Sequence, residues 1–149
     1  MLFGWSDSFN TRMCLAGASQ ALGEVGYEEK RVIKIYTARK VEMVLDALHQ
    51  LKSVLKEGER PVIIGYGSDI VEYIVMGIHQ LYPEWIGRVD IAGFALEGTE
   101  DKLGMDCSLV IKNPEAVGIC AAELLNQKIT GEKEDREPRK YEIKVKYKF

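Results

Sequence analysis

The sequence predicts an α/β protein: a doubly wound, mostly parallel sheet with helices on both faces. Three observations carry that expectation. Short apolar runs alternate with longer stretches of helical period, in the order strand, helix, strand, helix, strand, helix, strand. Two of the runs, residues 62–66 and 89–96, are almost unbroken in apolar character, as strands covered on both sides require. The connections are short, which suits parallel strands linked by helical crossovers.

The first strand spans Leu2 to Trp5, and Ser6, Asp7 and Ser8 follow with oxygens suited to an N-cap. Residues 9–25 then have helical spacing, with Phe9, Met13, Ala16, Ala18, Leu22 and Val25 as the expected apolar face and Gly26 as the stop. Val32 to Tyr36 is the second strand. Val41, Val44, Leu45, Leu48, Leu51 and Leu55 mark an amphipathic helix closed by Gly58. The third strand, Val62 to Tyr66, runs into Gly67, Ser68 and Asp69. Ile70, Ile74, Ile78 and Leu81 give the next helix, which must end before Pro83. Val89 to Leu96 is the fourth strand.

The remainder changes character. Gly98 to Met105 is a polar crossing segment, and Ser108 to Ile111 a short strand. Pro114 is preset for a first helical turn, and Ala116, Val117, Cys120, Leu124 and Leu125 supply that helix with an apolar face. Thr130 to Lys140 reads as a solvated loop. Tyr141 to Phe149 alternates strictly, with Tyr147 on the inner side and lysines on the outer side that blunt edge pairing. The strand-like start, with no lead-in, suggests a fragment of a longer chain.

The totals bound the function. With 149 residues, 46% hydrophobic and 29% charged, the chain is long enough for a real core and too apolar to be disordered. A net charge of -3 leaves no basic footprint for nucleic acid. No apolar run reaches a membrane span. Cys14, Cys107 and Cys120 lack metal spacing and read as reduced, mostly buried thiols in the cytosol, with Cys107 the more exposed.

Ligands of open parallel sheets sit beyond the carboxyl ends of the strands. That rule nominates Trp5, Ser6, Asp7, Ser8, Arg12, Tyr66, Ser68, Asp69, Phe94 and Glu97. Asp69 has two readings, a cap for the helix after it or a ligand for hydroxyl groups. Arg12 likewise is a surface ion-pair partner or an effector contact. The usual catalytic and cofactor patterns are missing. Gly65-Tyr66-Gly67 is a G-x-G with Ile70 at the third glycine position, and neither a phosphate loop nor a nucleophile elbow occurs. His49 and His79 have no partner at ligand spacing. The sequence therefore predicts no catalytic residue, no metal and no cofactor.

The ordered motifs "SFNTRMCLAGASQALGEVGY", "PVIIGYGSDIVEYIVMGI", "VDIAGFALEGTED" and "CSLVIKNPEAVGICAAELLNQKITGE" resemble one family. It is the lactose/galactose-repressor (LacI/GalR) family, in the carboxyl-terminal half of its periplasmic-binding-protein-like type 1 effector domain. The resemblance implies that residues 1–105 form the second lobe of a two-lobed fold. Residues 106–149 form a returning strand and helix and a final edge strand, with the first lobe and DNA-binding head outside this sequence. It implies that Arg12 is the effector-contacting arginine and Asp69 the aspartate of an "N-D" pair, with Ser68 in place of the asparagine. Two positions depart from the pattern: Ala95 stands where the family often has a sugar-binding aspartate, and Ala18 replaces a phenylalanine. Glu97 offers a substitute carboxylate from a different position.

The expected function is the ligand-sensing, dimerising part of a cytoplasmic transcriptional regulator. Its partners would be a sugar-like effector and a second copy, joined through the Val41–Leu55 helix and the start of the next. DNA would be reached only through another domain. The alternatives are the solute-binding protein of an ABC sugar transporter and a stand-alone flavodoxin-like domain.

Overall fold

A computed structural model of the chain describes residues 2–4, 8–27, 32–38, 40–131 and 146–148. The strands are β1 (Leu2–Gly4), β2 (Lys34–Tyr36), β3 (Val62–Tyr66), β4 (Asp90–Leu96), β5 (Cys107–Lys112) and β6 (Lys146–Lys148). The helices are α1 (Phe9–Glu24), α2 (Val41–Val54), α3 (Ser68–Leu81) and α4 (Pro114–Ile129). The protein is α/β, with one open, mostly parallel sheet in the order β2-β1-β3-β4-β5-β6. Only β6 runs antiparallel, against β5 at the edge. The second strand is shorter than expected, beginning at Lys34. The residue boundary expected at 105 falls in the connection before β5, which pairs with β4 from Cys107 to Lys112. Tyr141 to Val145 and Phe149 lie outside the described residues.

Alternation along the strands separates two faces that are packed very differently. Ile63, Ile91, Ala95, Cys107, Leu109 and Ile111 are buried and share one face. They meet Val44, Leu48 and Leu51 of α2 and Ile70, Val71, Ile74 and Ile78 of α3 in a single core. Each Val, Leu or Ile side chain among them, fully buried, contributes ~1.5–3 kcal/mol. The helices pack closely here because Gly77 has no side chain: an added Cβ would lie 2.6 Å from Leu48 Cδ1. At Gly93 a Cβ would lie 2.5 Å from the Gly65 carbonyl oxygen, so backbone and not a movable side chain excludes it.

The opposite face is covered by α1 above β1. Gly4 lies opposite Tyr66 in register, and a Cβ on Gly4 would sit 2.3 Å from Thr11 Cγ2. Ser8 caps α1, accepting from the Thr11 amide at 3.3 Å. The helix ends in a Schellman turn: Gly26 has φ +86°, its N–H donates to Gly23 O, and Tyr27 N–H donates to Leu22 O.

The expected apolar face of α1 needs correction. Phe9 (68% exposed), Met13 and Val25 point outward, while Thr11 and Leu15 are buried. Thr11 and Leu15 lie on the side of α1 that meets the bare backbone of Gly4, and that side is offset from the expected apolar face.

Two further expectations fail in the same way. No residue of α4 is buried, and Val117 and Leu125 of its expected inner face are more than half exposed. Tyr147, expected inward, is 62% exposed. Cys107 is buried and not exposed, because it opens β5 on the core face, whereas Cys14 and Cys120 are only half-buried. No helix among the described residues is long and apolar enough to cross a membrane.

Candidate functional site

The carboxyl edge of the sheet holds the candidate site. β1 leads through α1 to β2 on one side, and β3 leads through α3 to β4 on the other, although β1 and β3 are neighbours. α1 and α3 lie on opposite faces, so their first turns flank the point where the winding reverses. Open parallel sheets bind ligands at such a point. Thr37, fully buried, closes the β1–β2 side by donating to Gly4 O from its amide at 2.9 Å and its hydroxyl at 3.3 Å.

Trp5, Ser6 and Asp7 lie outside the described residues. Arg12 is exposed in the first turn of α1, its amide donating to Ser8 O at 3.0 Å. The Ser8 hydroxyl donates to Thr11 Oγ1 at 3.1 Å and is spent on the helix start.

Asp69 is not the cap of α3. Gly67 holds that position with φ +155°, a backbone conformation open to glycine, and no side chain caps the helix. Asp69 stands in the first turn with an exposed carboxylate that accepts from the Ser68 hydroxyl at 3.0 Å. Asp69 therefore keeps acceptor capacity directed to solvent, which the capping reading would have removed.

Tyr66 and Phe94 come together at the ends of β3 and β4, ring centroids 6.1 Å apart and tilted by 54°. Tyr66 is half-buried beside α1, and burial, with nearby Cys14 adding, pushes its phenol up to about 12. Sequence reasoning missed Lys112, which ends β5 on the same face. Its Nζ lies 4.0 Å from the centre of the Phe94 ring. Pairing parity carries the signal: Leu96 faces Lys112 in register, and both share the face of Phe94.

Glu97, just beyond β4, is committed to structure. One carboxylate oxygen takes the Lys146 ammonium and the other accepts from the Asn113 amide, while its own N–H donates to Lys112 O at 3.0 Å. Asn113 also caps α4, accepting from Ala116 N–H at 2.8 Å. Glu97 thus ties β4, β6 and the start of α4 together. Ala95 is 3% exposed and points into the α3 side. A carboxylate at 95 would be buried among apolar side chains in this chain.

Away from this edge, a groove of about 610 Å³ runs between α3 and the β4–β5 connection, lined by Glu72, Met76, His79, Thr99 and Lys102 among others. His49 shares a 2.5 Å hydrogen bond with the Tyr82 hydroxyl, which fixes it structurally. Among the described residues, no three His, Cys, Asp or Glu side chains gather to hold a metal ion. No family model, curated protein or solved structure matches this chain.

Proposed function

We propose that this chain is the ligand-sensing and dimerising lobe of a cytoplasmic, LacI/GalR-like transcriptional regulator. In that reading it is one lobe of a periplasmic-binding-protein-like type 1 fold, without catalysis, and it binds a sugar-like effector. The observation that carries the reading is the winding reversal between β1 and β3, with Asp69 and the Tyr66–Phe94 pair at that edge. The two rings offer an apolar platform for a sugar face, and Asp69 offers two acceptor oxygens for hydroxyl groups.

The flavodoxin-like order is the same through β5. α4 favours the two-lobed reading over that alternative. Val117, Ile119, Leu125 and Ile129 form apolar surface that a stand-alone domain would have no use for and that a second lobe would cover. An effector closing two lobes shifts the equilibrium between dimer geometries and hence operator affinity, with DNA contacted by a domain outside this sequence.

The test is a titration of isotope-labelled chain with neutral monosaccharides and nucleobases, read from the amide signals of residues 65–70 and 93–97. We expect saturable shifts at these positions, weakened by Asp69→Ala. Signals that stay still at tens of millimolar ligand would remove the sensing role.

A further inference from the structure

The geometry points to an anionic ligand: the molecule bound at the carboxyl edge carries a carboxylate or phosphate, received by Lys112, beside the face that covers the aromatic pair. The inference rests on the proposed sugar site and adds a charge to its occupant. It follows from the charges around one ammonium group.

Lys112 is exposed at the end of β5, and its Nζ rests 4.0 Å from the Phe94 ring centre, whose other aromatic neighbour is Tyr66 at 6.1 Å between ring centroids. Among the described residues, that ring is its only charge-complementary neighbour. Glu97 is tied to Lys112 through the backbone, its amide donating to the Lys112 carbonyl at 3.0 Å. Both Glu97 oxygens are already engaged, by Lys146 and Asn113. The neighbouring lysine of the edge strand, Lys148, is paired with Asp101 at 3.0 Å. Asp69, on the α3 side, is held by Ser68.

Both described lysines of β6 are thus paired with carboxylates, whereas Lys112 rests on an aromatic face. A ring quadrupole is a weak counter-charge at an exposed site. It holds the ammonium in place without neutralising it, so an incoming anion forms a charge-assisted hydrogen bond and displaces only that weak contact. Phe94 and Tyr66 then cover the apolar side of the same ligand. A neutral sugar would satisfy the rings and Asp69 and would leave Lys112 without a partner.

Glucose, glucuronate and glucose 6-phosphate, titrated into the intact chain at low salt, separate the possibilities. Binding is read from rim amide shifts and the Lys112 side-chain signal. Both anions are expected to bind about tenfold tighter than glucose, with the preference fading as salt rises. Lys112→Met, which keeps the stem on Phe94, should erase the preference for the anions over glucose; Lys112→Arg should restore it. A preference for one anion alone assigns the carboxylate or the phosphate. Equal affinity for glucose and both anions, or a preference that survives Lys112→Met, overturns the inference while the sugar site stands. Silence of the rim toward all three sugars overturns both.

Discussion

At the scale of single residues, the protein spends charge and space unevenly. Glu97 is consumed in bracing three elements, while Asp69 and Lys112 on either side of it keep their charged ends toward solvent. Cys107 shows the cost of burying an ionisable group. Burial, with Asp106 adding and Lys148 opposing, pushes its thiol from an ordinary value near 9 up to about 11. A folded-state pKa raised above the unfolded one leaves stability intact below pH 9. Stability is then lost as pH climbs toward 11, because only the unfolded chain ionises freely there. Urea denaturation from neutral to alkaline pH should show the loss, on the order of 2 kcal/mol for this group. The difference between wild type and Cys107→Val isolates it from Tyr66, which titrates higher. A difference that stays constant across that range would mean that the thiol is solvated.

At the scale of elements, the two helices that build the core contrast with the one that buries nothing. α3 is bounded by a glycine turn and by Pro83 and hides Ile70, Val71, Ile74, Val75 and Ile78. α4 has a side-chain cap from Asn113 and Pro114 at its first position, yet none of its residues is buried. Helical stability in proteins comes mostly from packing an apolar stripe, and capping alone contributes about 1 kcal/mol. Amide exchange in α4 should therefore run at least about a hundredfold faster than in α3 in the isolated chain. Comparable protection in the two helices would show that α4 docks in solution.

The same contrast explains what the sequence made legible. α2, β3 and α3 follow from apolar period, because each packs its largest apolar residues inward. α1 breaks the rule because the side it turns to the bare backbone of Gly4 carries Thr11 and Leu15, while Phe9 is exposed. The role of Lys112 depends on which strand lies beside β4, a fact of sheet order that local pattern does not contain. Asp69 was legible as a rim residue, but its freedom from capping depends on the backbone angle at Gly67.

At the scale of the whole molecule, the sheet is packed on one side and only partly covered on the other. Truncation should register this asymmetry. Ile74→Ala, in the centre of the α2–α3 side, should cost about 3 kcal/mol or more, since surrounding atoms cannot fill the cavity. Leu125→Ser on α4 should shift stability by less than about 0.5 kcal/mol. Chemical denaturation of both variants measures it, and a large loss at Leu125 would mean that its face is occupied in solution.

The placement of β1 has a kinetic consequence. The strand lies inside the sheet, with Leu2 alongside Ile64, the longest reach along the chain of any strand pairing among the described residues. During synthesis that segment must wait for β3 to emerge before its second neighbour exists. Its insertion closes a large loop of chain, a step that topology makes slow. The reversal of winding at the candidate site is thus completed only when this delayed strand slots in beside β3.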